Sequence, residues 1–151
     1  MKSMDAYGWE RLRCTFFTEV CRRVLGSYFG TWGFAEKEVG LVGEVVFLRD
    51  GLFLEVGYEP ETSPTYSPTI VLGTGQGKFD EAGRPSAVPL WYIIPDDSPA
   101  RAYASWTFRT KQELEGVLIQ LRDSVLKPHA RPLWLDLNRL ERIISRFRAE
   151  I

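Results

Sequence analysis

Positions 44–59 read Glu44-Val45-Val46-Phe47-Leu48-Arg49-Asp50-Gly51-Leu52-Phe53-Leu54-Glu55-Val56-Gly57-Tyr58-Glu59, two alternating runs joined by Asp-Gly. Successive side chains of a strand point to opposite faces, so Val45 and Phe47 share one face and Val46 and Leu48 the other. Asp-Gly suits a two-residue turn because glycine accepts positive φ without a Cβ clash. The return strand puts Leu52, Leu54, Val56 and Tyr58 on one face, and Phe53, Glu55, Gly57 and Glu59 on the other. This pattern predicts a hairpin with one buried face and one partly wet face.

Upstream, apolar residues recur at three- and four-residue steps over 6–29, through Trp9, Leu12, Phe16, Val20, Val24 and Tyr28, as on one face of a helix. Arg11, Arg22 and Arg23 mark the opposite face, Glu19 precedes Arg23 in the stabilising i,i+4 order, and Gly26, Gly30 and Gly33 end the signal. Downstream, Pro60, Pro64 and Pro68 predict an irregular loop over 60–68 before a short strand at 69–73. A second loop leads to 88–94, whose nearly continuous apolar character predicts an interior strand, with Leu90, Tyr92 and Trp106 mostly buried. A fifth strand is expected at 103–108.

Thr110 and Glu113 have the spacing of a capping box, so a helix starts near Lys111 and is expected to stop at Pro128. Pro132 and Trp134 fall in a linker, and Asp136 is a good N-cap for a last helix carrying Leu140, Ile143, Ile144 and Phe147 inward. The fold class is α+β: an N-terminal helix, a largely antiparallel sheet of about five strands and two C-terminal helices, forming one domain over 1–151.

Composition sets outer bounds on function. The chain has 151 residues, 19 basic and 20 acidic side chains and a net charge of −1, so no general electrostatic pull draws it to nucleic acid or an anionic membrane. Residues 1–6 lack the apolar run of a signal peptide, and no stretch approaches the roughly 18 apolar residues of a membrane span. A cytoplasmic location is the expectation. Cys14 and Cys21, seven residues apart on a helix, would lie about 10 Å apart, too far for a disulfide, so free core thiols are predicted.

Patterns that carry chemistry are incomplete. Gly73-Thr74-Gly75-Gln76-Gly77-Lys78 resembles a phosphate loop, but Leu72 stands where its first glycine belongs and Phe79 where Ser or Thr would meet magnesium. Glu55 and Glu59 would be about 13 Å apart on their strand, beyond glycosidase geometry. His129, the single histidine, sits between Pro128 and Ala130 in a connector, and one histidine with two separated cysteines makes no familiar zinc set. No catalytic residue, metal or cofactor is expected. Arg139, Arg142 and Arg146 can line one helix face, but no aromatic residue interleaves with them as a base-stacking platform requires.

A family likeness rests on Gly33-Phe34 after the first helix, Val46-Phe47-Leu48-Arg49, Leu54-Glu55-Val56-Gly57-Tyr58-Glu59, Ile70-Val71-Leu72-Gly73, Trp106-Thr107-Phe108, Leu118, Leu121 and Trp134-Leu135. With this order of elements the chain resembles the small bacterial α+β immunity-type proteins of polymorphic toxin systems and related uncharacterised families. These are core and turn positions, and no functional residue carries over from them. The resemblance implies a non-catalytic cytoplasmic protein that binds another protein, often through an acidic surface. The residues expected to do so are Glu55, Tyr58, Glu59, Glu61, Tyr66, Asp96 and Asp97, facing a partner of basic surface. Two other classes stay open: a small-molecule or catalytic pocket assembled from distant residues, and a nucleic-acid binder using the C-terminal arginines.

Overall fold

In the computed structural model, which describes residues 14–37, 44–60 and 65–151, the Asp50-Gly51 turn forms as the sequence predicts. Both residues take positive φ, 28° and 84°, and Arg49 pairs with Leu52 across the turn. The hairpin strands are β2, Val45–Arg49, and β3, Leu52–Pro60. A short β1, Ala35–Lys37, pairs with β2; β4, Tyr66–Thr74, pairs with β3; and β5, Ala87–Pro89, pairs with β4. All pairings are antiparallel, and the order β1-β2-β3-β4-β5 leaves β2, β3 and β4 interior. Gly73 is required where β4 meets β5, because a Cβ there would stand 2.3 Å from the Ser86 carbonyl oxygen.

The first helix, α1, runs through Phe17–Cys21, a wider π-type stretch Arg22–Gly26, and Ser27–Thr31. Its expected first part, with Trp9, Arg11 and Leu12, lies outside the described residues. Gly26 and Gly30 sit inside the helix, and Gly33 ends it: the Gly33 and Phe34 amides donate to the Gly30 and Phe29 carbonyls, and the Phe29 and Phe34 rings meet at 5.8 Å. The Glu19–Arg23 pair forms at 3.8 Å, yet each partner has a shorter bond to the next long helix: Glu19 with Lys111 at 2.7 Å and Arg23 with Glu115 at 2.9 Å.

Three expectations are corrected here. The 88–94 segment is not an interior strand. It holds the edge strand β5, and at Pro89, which has no N–H for a ladder, the chain turns into a one-turn helix α2, Leu90–Ile93. Leu90 and Ile94 are buried at helical spacing, and Tyr92 and Trp106 are mostly buried against the same core, as expected. Nor is 103–108 a strand: Ser98 caps a 3-10 turn over Pro99–Ser105, and only Phe108 bridges to Tyr66. The fifth strand is β1. Finally, Pro68 lies within β4 rather than in a loop, because β5 reaches only Val71 to Gly73 and leaves that stretch without a β5 neighbour.

The helix α3 starts as expected, with the Thr110 hydroxyl accepting from the Glu113 amide at 3.1 Å. It does not stop at Pro128. It continues from Lys111–Leu121 through a π-type stretch Arg122–Ala130 into Arg131–Trp134, the wider turn accommodating a proline that brings no N–H to an α ladder. Trp134 is no linker residue but a core anchor, 2% exposed, with its ring 4.9 Å from Phe34 and 5.8 Å from Phe29. The last helix α4, Leu137–Glu150, is capped by Asp136, which accepts from the Arg139 amide at 3.1 Å.

The helices cover one face of the sheet. Phe29, Leu118, Leu121 and Ile144 pack with Val45, Phe47, Leu54, Val56, Ile70 and Leu72 in the main core. Val46, Phe53 and Ala87 form a small second cluster on the other face, flanked by Leu48 and Val71.

Candidate functional site

Of the seven residues expected to contact a partner, the structure describes six and separates them. Glu55 is 6% exposed on the second face of β3, and its carboxylate meets the Lys78 ammonium at 2.9 Å. Tyr66 is 7% exposed and stacks on Phe108, with ring centroids 5.5 Å apart. Tyr58 is half-buried, its ring 5.0 Å from Phe17 and its hydroxyl accepting from the Cys14 amide at 2.8 Å. The exposed acidic edge foreseen around Glu55 and Tyr66 is therefore corrected: alternation along β3 and β4 turns these residues into the protein, where they find internal partners. Glu59, Asp96 and Asp97 are exposed, with Asp96 ion-paired to Arg101. Glu61 lies outside the described residues.

Glu55 belongs to a triad of charges assembled from three separate segments. Glu44, just before β2, hydrogen-bonds Glu55; burial, that bond and the Glu55 charge push its carboxyl above the usual range, with Lys78 opposing. The Lys78 ammonium is held above its ordinary value by its bond to Glu55. Paired carboxyls beside a cation are what acid/base chemistry uses, but the surface hollows described below are lined by other residues. The triad acts as a clamp, tying the 75–86 loop to β3. This also removes Lys78 from any phosphate-loop role. The hollow along Gly75 and Gly77, about 710 Å³, is instead bordered by Asp80, Glu81 and Arg148.

Trp91 is the exposed aromatic that the interior-strand expectation missed. At 42% exposure it stands where two open hollows meet. One, about 380 Å³, is bordered by Glu59, Thr69, Pro89 and Tyr103. The other, about 460 Å³, is bordered by Tyr92, Asp96, Arg101, Arg146 and Glu150, with the Arg101 guanidinium 5.8 Å from the Trp91 ring centre. Glu59, Asp96 and Trp91 thus share one stretch of surface. A signal existed in the sequence: Pro89, followed by Leu90 and Ile94 at i,i+4, puts Trp91 off the buried side of a helical turn.

Arg139, Arg142 and Arg146 lie on one side of α4 as the spacing predicts and, with Tyr92, Ile93 and Ile143, line a hollow of about 460 Å³. Among the described residues none of the three forms an ion pair with a carboxylate. Like charges at i,i+3 and i,i+4 cost about 0.2–0.5 kcal/mol per pair, which no carboxylate among the described residues offsets by an ion pair. Tyr92 comes to them from another element: its hydroxyl donates to Glu150 at 2.7 Å and also meets Arg146.

No family model, curated protein or solved structure matches this chain. The remaining chemistry is quiet. Cys14 and Cys21 are free and buried, and burial pushes both thiols up, Cys14 to about 11, so neither is a ready nucleophile. Among the described residues no group of His, Cys, Asp and Glu could hold a metal, and no helix is long and apolar enough to cross a membrane.

Proposed function

We propose that this protein is a cytoplasmic, non-catalytic binding domain that engages a partner protein through the surface centred on Trp91. The observation that carries the proposal is the half-open tryptophan at the junction of two hollows, with the Glu59 carboxylate on one side and Asp96 and Arg101 on the other. Tryptophan is the residue type that most often anchors protein interfaces, because a large rigid ring loses little entropy when covered. The resemblance to immunity-type proteins supports a protein partner. A cytoplasmic setting fits two unpaired cysteines.

Photo-crosslinking tests this directly. A photoreactive residue at position 91 should yield one predominant protein adduct in producing cells, absent when the same residue replaces exposed Glu141. Trp91→Ala should weaken binding to that partner by about 2 kcal/mol or more. Equal labelling from both positions would refute the assignment.

A further inference from the structure

Two hollows meet at Ile93, Arg139 and Ile143 and form one groove between α2 and α4. The first, about 150 Å³, is walled by Pro128, His129, Pro132 and Leu133; the second carries Arg142 and Arg146 beside Tyr92. The groove has an aliphatic floor and a rim of arginines without carboxylate partners among the described residues. We infer that this groove holds an acidic segment of the partner protein, with its carboxylates on Arg139, Arg142 and Arg146 and its apolar side chains on Ile93 and Ile143. The inference rests on the protein-binding proposal and names the partner's chemistry.

Charge complementarity and shape favour this occupant. Guanidinium forks bind carboxylates bidentately, and the rise of α4 from Arg139 to Arg146 is about 10 Å, the reach of about three residues of extended chain. A nucleic-acid strand would suit the groove less well. Its floor is Ile and Pro rather than open rings, and Tyr92 is packed edge-on against Phe147 at 5.0 Å with its hydroxyl tied to Glu150.

Fluorescence anisotropy with defined probes tests the inference: a labelled peptide of Glu, Asp and Leu, its counterpart with Lys in place of the acids, and labelled oligothymidylate. The wild-type protein should bind the acidic peptide, more weakly in high salt, and should not bind the lysine peptide. Arg139→Ala, Arg142→Ala and Arg146→Ala combined should weaken it at least about tenfold. Arg142→Glu should act in the same direction, with circular dichroism unchanged because all three side chains are exposed. Absence of acidic-peptide binding, or equal binding by the triple variant, overturns the inference. Tighter binding of oligothymidylate that the triple variant loses overturns the protein class in favour of nucleic acid. If the position-91 crosslink survives the triple variant intact, the groove assignment fails and the Trp91 surface stands. If that crosslink never forms while the acidic peptide binds through the arginines, the Trp91 surface fails and the groove stands.

Discussion

The two faces of β3 are built from alternate residues of one strand, yet they are held by different forces. On the helix-covered face Leu54 and Val56 are fully buried in a continuous apolar core. On the other, Phe53 belongs to a cluster of three buried residues, and Glu55 is buried beside it with its charge answered by Lys78. The first face depends on excluded water and close packing, which pH and salt leave nearly unchanged. The second depends on a hydrogen-bonded charge cluster whose strength follows protonation and screening.

The largest expected effect separates the faces by packing. Phe47→Ala should destabilise by about 3–5 kcal/mol in urea unfolding, and Phe53→Ala by at least about 1 kcal/mol less, because fewer neighbours surround its cavity. Equal losses would erase the distinction. Next, Lys78→Ala should cost about 1–2 kcal/mol by leaving the Glu55 carboxylate beside Glu44 without a cation, a figure reduced for the half-exposed lysine. Replacing Glu55 and Lys78 together by leucine should recover most of that loss; if the double variant is as unstable as the single one, the clamp is not electrostatic.

A smaller effect tests the carboxyl pair by pH. A carboxyl whose folded pKa is raised contributes fully below its unfolded value and loses that contribution as pH climbs through the raised one. For Glu44 the loss falls just above the ordinary carboxylate range, where its charge appears, partly desolvated, beside that of Glu55. Lys78, also raised, keeps its contribution until pH passes above the usual lysine range. Glu44→Gln should therefore be slightly more stable than wild type at neutral pH, with the difference between their urea midpoints shrinking as pH falls through the range just above the ordinary carboxylate value and gone once pH is below about 4.3. A pH-independent difference would contradict the raised Glu44 carboxyl. The smallest stability change belongs to the outer surface: Trp91→Ala should alter unfolding by no more than about 0.5 kcal/mol while weakening partner binding. A large loss of stability would make Trp91 a packing residue.

Much of this architecture is legible in the sequence alone. The hairpin, its Asp50-Gly51 turn, the caps at Thr110 and Asp136 and the inward stripes of α3 and α4 each depend on hydrogen bonds or periodicities within a few residues of sequence, so local chemistry alone was enough. The split of 88–94 between an edge strand and a helical turn, the passage of α3 through Pro128 and the pairing of β1 with β2 were decided by packing between segments that are not adjacent in the chain. The candidate sites were still less legible. Burial of Glu55 requires Glu44 from one segment and Lys78 from another, and Trp91 and Tyr92 reach the arginines of α4 only because α2 packs near that helix. Pattern specifies which face of an element turns inward, because that follows from backbone geometry over a turn or two. Which groups meet across that face, and so which charges are neutralised and which stay exposed, follows from packing between distant segments, and only the folded chain brings those together.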